Sequence, residues 1–181
     1  ALESCTKCPA GTWNAQDGST GSDACTACAA GKWSQSVAAS SEASCIECAP
    51  GTWSDRKGAS QLSHCQGCPA GRWSSRSGAD AASTCEACDA GFYQPAVGQA
   101  NKSVCLRCAP GNYSAALGAP SCSFCPAGTW SQTFRATACT VCRAGTWTHS
   151  AGETRKDDCT PIWWGHRSAR LTIRMWNLVL S

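Results

Sequence analysis

The stretch Cys45-Ile46-Glu47-Cys48-Ala49-Pro50-Gly51-Thr52-Trp53-Ser54 decides the fold, because its pattern returns along nearly the whole chain. Its copies share Cys-x-x-Cys, two residues that are most often Pro and Ala in either order, Gly, any residue, Trp or Tyr, and most often Ser or Thr. A polar stretch follows, often with a second Gly. Eight Cys pairs stand at Cys5/Cys8, Cys25/Cys28, Cys45/Cys48, Cys65/Cys68, Cys85/Cys88, Cys105/Cys108, Cys122/Cys125 and Cys139/Cys142. A ninth begins at Cys159 and has Ile162 in place of its second Cys. Units therefore start at 5, 25, 45, 65, 85, 105, 122 and 139, in steps of 20 residues apart from two of 17. Self-similarity at a short fixed period marks a tandem array of small structural units.

Composition explains why such units need staples. Up to residue 160 there are only twelve Leu, Ile, Val and Phe, too few for one large core. Small units that cannot bury enough apolar surface rely on covalent or metal cross-links, and the chain carries 17 cysteines. The net charge is +3, but the excess lies in Arg167, Arg170 and Arg174, and the repeats carry twelve basic against twelve acidic residues. A neutral surface with dispersed charges excludes the basic stripe of a nucleic-acid binder. The chain starts at Ala1 without an apolar leader and has no run of eighteen apolar residues, so it reads as an internal piece of a longer protein.

Within each unit the Cys pair leads directly into a turn, as at Pro9-Ala10-Gly11, Ala49-Pro50-Gly51 and Pro126-Ala127-Gly128, where Pro presets φ and Gly takes the crowded position. Two residues beyond the Gly stands an aromatic: Trp13, Trp33, Trp53, Trp73, Tyr93, Tyr113, Trp130 and Trp147. One ring per unit at a constant offset is what a repeating core requires, with the ring over neighbouring sulfurs. The other reading is a ladder of exposed aromatics that binds glycans or proteins. Later turns such as Arg56-Lys57-Gly58 and Arg76-Ser77-Gly78 leave room for a short hairpin, and no sustained helical period appears before residue 160. The expected fold is small and disulfide-rich: an extended rod of tandem modules with short β-hairpins and coil and little helix, each module touching only its neighbours. Residues 1–4 are a lead-in, 5–160 the repeats and 161–181 a non-repeat tail.

Cys5-x-x-Cys8 followed by Cys25-x-x-Cys28 also matches a four-thiolate zinc pattern. Against zinc, alternate units would have to differ in role, yet they look alike. His64, His149 and His166 stand in no ligand position, and Asn101-Lys102-Ser103 and Asn112-Tyr113-Ser114 are N-glycosylation sequons of the kind found in secreted chains. A redox role for Cys-x-x-Cys would need one pair at a helix start, which these look-alike units do not offer. Disulfides are therefore expected, with no metal and no cofactor.

Two pairing schemes fit. One joins the second Cys of each pair to the first of the next: Cys8-Cys25, Cys28-Cys45, Cys48-Cys65, Cys68-Cys85, Cys88-Cys105, Cys108-Cys122, Cys125-Cys139 and Cys142-Cys159, with Cys5 left over. The other crosses whole pairs, Cys5 to Cys25 and Cys8 to Cys28 and so on, and leaves Cys159 alone. The first is preferred because it uses Cys159 and gives identical modules across both step lengths.

The unit Cys-Pro-Ala-Gly-Thr-Trp-Ser, with Cys pairs about every twenty residues, resembles the ephrin-receptor-like cysteine-rich repeat. That repeat is related to tumour-necrosis-factor-receptor-like and growth-factor-receptor cysteine-rich modules. The resemblance covers residues 5 to about 160, with Trp standing where family members more often have Tyr. In the related receptor modules a Cys-x-x-Gly-x-Tyr loop is closed by the next Cys, which supports the first pairing scheme by analogy. The resemblance implies a non-catalytic extracellular region of a cell-surface or secreted protein, a stalk or a ligand or adhesion module. Its partner would be an extracellular protein or a glycan, and any membrane attachment would lie outside this chain. The alternative is an intracellular zinc-binding scaffold. No Ser-His-Asp constellation, phosphate loop or kinase motif occurs, and Asp157-Asp158 reads as a solvated turn before Cys159. The tail from Pro161, with Trp163, Trp164 and Trp176, reads either as a membrane-proximal segment or as sequence foreign to the natural protein.

Overall fold

The computed structural model describes residues 7–16 and 21–162. Cys5 and residues 163–181 lie outside the described residues, and with them the readings of an unpaired Cys5 and of most of the tail.

The described residues form eight antiparallel hairpins, each a separate sheet of two two-residue strands. In one of them Thr52–Trp53 pairs with Gln66–Gly67, Trp53 lying opposite Gln66. The same register sets Trp33 opposite Ile46, Tyr93 opposite Leu106 and Trp130 opposite Thr140. The two residues between the cysteines of a pair are thus the returning strand of a hairpin. The first strand leaves a turn in which Thr52 N–H donates to Ala49 O at 3.0 Å while Gly51 has φ 83°. That is the geometry of a type II turn, with Pro50 at its second position and the positive φ that favours Gly at its third. Thr52 Oγ1 donates to the same carbonyl at 2.7 Å.

Disulfides close eight modules: Cys8–Cys25, Cys28–Cys45, Cys48–Cys65, Cys68–Cys85, Cys88–Cys105, Cys108–Cys122, Cys125–Cys139 and Cys142–Cys159, here numbered 1 to 8. Six span 17 residues, and modules 6 and 7 span 14. The longer modules each carry a three-residue 3-10 helix just before the closing Cys, as at Glu42–Ser44, Ala82–Thr84 and Lys156–Asp158. Between residues 108 and 139 there is no such helix. The shorter step is therefore the same module without its outer helical turn.

Successive modules are joined by backbone hydrogen bonds that recur at every joint. Gly31 N–H donates to Ser54 O at 2.7 Å, Ser34 N–H to Ala59 O at 2.9 Å and Gly58 N–H to Cys28 O at 2.8 Å. The equivalent three at the next joint start from Gly51, Ser54 and Gly78, and at the joint between modules 6 and 7 from Gly111, Ser114 and Arg135. Each second Cys is a crossing point: Cys28 N–H donates to Gly11 O of module 1 while its carbonyl accepts from Gly58 of module 3. Ile162, standing where a Cys is missing, keeps half of this role, since its N–H donates to Gly145 O at 2.9 Å.

Contacts reach further than the nearest neighbour, which corrects that part of the rod expected from sequence. A Cβ placed on Gly11 of module 1 would lie 2.3 Å from Gly58 O of module 3, and one on Gly51 of module 3 would lie 2.3 Å from Gly98 O of module 5. The turn of each of modules 1 to 6 reaches across one neighbour and rests on the turn of the next but one.

The interior is unusual in content. Its buried members are Cys28, Cys48, Cys68, Cys85, Cys88, Cys108 and Cys125, small Ala59 and Ala79, and the residue after the aromatic, such as Ser34, Ser54 and Ser74. Buried Ser34, Ser54 and Ser74 each accept at Oγ from the backbone N–H two residues on, satisfying the hydroxyl within its own turn. Val37, Ile46, Leu62, Val97, Leu106, Leu117, Phe124, Phe134 and Val141 are exposed. Sulfur bridges and backbone bonds take the place that branched aliphatics hold in larger domains.

Candidate functional site

The sixteen described cysteines are all in disulfides, so none is a thiolate able to ligate a metal or attack a disulfide. Among the described residues no group of three or more His, Cys, Asp or Glu side chains could hold a metal ion. The zinc scaffold therefore has no support from the donor set. Asp157 and Asp158 lie in the 3-10 helix Lys156–Asp158 rather than in a simple turn. Asp158 Oδ2 accepts from Arg155 N–H at 2.8 Å, and Asp157 lies 3.8 Å from the Arg155 guanidinium.

What the array offers instead is a repeated surface. The aromatics are half-buried from Trp13 to Trp130, and Trp147 is exposed, so part of each ring faces the surface. The indole N–H of Trp73 is buried without a partner. Beside Tyr93 a groove of about 280 Å³ is lined by Arg107, Ala109, Asn112 and Cys122. Beside Trp130 a groove of about 430 Å³ is lined by the equivalent Val141, Arg143, Thr146 and Cys159. The two grooves occupy the same place in the repeat, between the aromatic of one hairpin and the first strand of the next.

Modules 5 and 7 are clasped by side chains as well. Arg107 and Phe92 are cross-strand partners in the hairpin of module 5. Phe134 and Arg135 are consecutive in the turn of module 7, where Arg135 has φ 64°. Arg107 lies 5.6 Å from the Phe134 ring centre and Arg135 lies 5.0 Å from that of Phe92. Two reciprocal cation–π contacts thus cross module 6, the first of the short modules. Each is worth about 0.5–1 kcal/mol at an exposed site.

The two sequons differ in setting. Asn101 is exposed at the start of a 3-10 helix, whereas Asn112 is half-buried in a hairpin strand opposite Phe124. The burial of the Ser that follows most of the aromatics and the clasp are not evident from sequence. Ser at that offset is visible as part of the repeat, but the partners of its backbone lie in other modules.

The family model for tyrosine-protein kinase ephrin type A/B receptor-like repeats matches residues 76–121 and 111–159, two overlapping copies. Residues 76–159 are thus similar to ephrin-receptor-like repeats, within a tandem cysteine-rich repeat array. The hairpins, disulfides and joints of the matched modules recur in residues 21–75. No curated protein matches the chain. An ephrin-receptor-like repeat is a receptor-like cysteine-rich module and not a catalytic domain, and a disulfide-rich array of it fits an extracellular module. Among the described residues no helix is long and apolar enough to cross a membrane.

Proposed function

We propose that this array is a non-catalytic, stiff spacer in the extracellular region of a cell-surface or secreted protein, which presents its repeated grooves to an extracellular protein or glycan. The observation that carries this reading is the interlock at every joint, where each module is bonded to the next and rests on the next but one. Neighbouring modules linked only by a flexible segment would swing independently, whereas three backbone bonds and a second-neighbour contact fix their orientation. The grooves beside Tyr93 and Trp130 favour a ligand with both an apolar face and hydroxyl or amide groups, because an aromatic wall meets a polar rim.

Small-angle X-ray scattering of the oxidised chain tests the spacer. The expected profile is that of a rod of constant cross-section, with a large expansion when the bridges are reduced. A profile of freely jointed modules in the oxidised chain would remove the reading. Non-reducing peptide mapping of the secreted protein tests the compartment, with the eight bridges as the expected result.

A further inference from the structure

We infer that Asn101 is the glycan acceptor of this chain and that Asn112, although it sits in an equally good sequon, stays bare. This rests on the extracellular reading above, since the transfer takes place in the secretory pathway. Both triplets satisfy the Asn-x-Ser rule. The fold separates them.

Asn101, Lys102 and Ser103 are all exposed. Asn101 Oδ1 accepts from the Ser103 backbone N–H at 3.1 Å and from the Ser103 hydroxyl, so the amide and the hydroxyl of the triplet lie side by side on one open surface. Both bonds go to the oxygen, and Nδ2 makes no hydrogen bond among the described residues. The segment is also cheap to open. Its helix is held by a long bond from Val104 N–H to Asn101 O at 3.5 Å and by one from Cys105 N–H to Lys102 O at 3.1 Å. The Lys102–Asp89 ion pair at 2.9 Å is exposed and adds little. None of these bonds belongs to a joint between modules.

Asn112 is placed in the opposite way. Its Nδ2 donates to Pro110 O at 3.3 Å, and its backbone pairs with Phe124. The hydroxyl of its triplet, on buried Ser114, donates to Ala116 O at 3.2 Å. Ser114 N–H donates to Ala136 O of module 7, and its carbonyl accepts from Gly91 of module 5. Freeing this triplet for transfer would break bonds of two joints at once. Folding therefore competes with transfer at Asn112 and not at Asn101.

The transfer balances with a lipid-diphosphate-linked oligosaccharide as donor. Asn101 Nδ2 forms a bond to the anomeric carbon, the bond from that carbon to the diphosphate oxygen breaks, the lipid diphosphate leaves with the electron pair, and the amide nitrogen gives up one proton.

The full chain is secreted from a eukaryotic cell, mapped without reduction, and treated with a peptide amidase in ¹⁸O water, which marks each formerly glycosylated Asn as labelled Asp. The expected result is label at Asn101, none at Asn112, and loss of the glycan mass in Ser103→Ala and in Asn101→Gln. A secreted, fully bridged chain with Asn101 unlabelled, or with Asn112 labelled, overturns the inference. A chain recovered without its bridges overturns the extracellular reading instead, and the inference falls with it.

Discussion

Replacing Gly51 by Ala tests the second-neighbour contact, because an internal control exists in the same repeat position. Gly51 has φ 83°, and its added Cβ would lie 2.3 Å from Gly98 O and 2.8 Å from Gly98 C. These are backbone atoms that cannot rotate away. Gly145 has φ 82° and nothing within 4 Å of its added Cβ among the described residues. Both substitutions place an L side chain in the left-handed region, at about 1–2 kcal/mol. Only Gly51→Ala also overpacks a contact, at about 1–3 kcal/mol more. Hydrogen exchange on the oxidised chain reads this locally, since protection follows the free energy of local opening. The bonds to watch are Gly51 N–H to Ser74 O and Gly98 N–H to Cys68 O. The extra cost corresponds to about 5–150-fold faster exchange at Gly51 and Gly98, beyond what Gly145→Ala produces around its own turn. Equal effects of the two substitutions, or unchanged protection at Gly98, would refute the idea that module 3 bears on module 5.

Other perturbations address the bridges, the helices and the clasp. Cys68→Ser together with Cys85→Ser should cost about 3 kcal/mol by freeing a loop of that length in the unfolded ensemble, and limited proteolysis should cut first between residues 69 and 84. Deleting Ala82–Thr84 converts module 4 to the short form already present in modules 6 and 7, so a non-reducing peptide map should still find Cys68 bonded to Cys85. Arg135→Ala keeps the left-handed strain and loses the guanidinium over Phe92, so guanidinium unfolding should show it about 0.5–1 kcal/mol less stable than the parent. Arg135→Gly loses the same contact but relieves about 1–2 kcal/mol of strain and should be more stable than Arg135→Ala.

The tandem array, the small disulfide-rich class and the scarcity of helix were legible from spacing alone. Each unit repeats the same turn, aromatic and Cys pair, and Cys45 to Ser54 already contains a whole turn and the start of a hairpin. What could not be read was which copies touch. Ala38, Gly58 and Gly78 stand at one place in successive units, and the repeat pattern is the same whether Gly58 meets module 2 or module 1. Sequence shows that modules 6 and 7 are three residues shorter but not that the outer helix is what they lack. How deeply each ring sits was also not legible: the rings from Trp13 to Trp130 are half-buried beside the bridges and Trp147 is exposed, because the burial of a ring depends on the module stacked against it.

The disulfide pairing gives the array a short covalent spine. A path along the bonds runs from Cys28 across sulfur to Cys45, through Ile46 and Glu47 to Cys48, and across sulfur again to Cys65. Each bridge spans 5.6 Å between Cα atoms, and the three residue steps between bridges add at most about 11 Å. Tension applied at the two ends is borne by that spine, while the turns, helices and Asn101 hang beside it and carry no load. Even if every hydrogen bond between modules gave way, the oxidised chain would stop lengthening at about 17 Å per module. The same bridges that substitute for a core therefore make the array a tether with a built-in limit of reach, and that limit disappears only when the sulfurs are reduced.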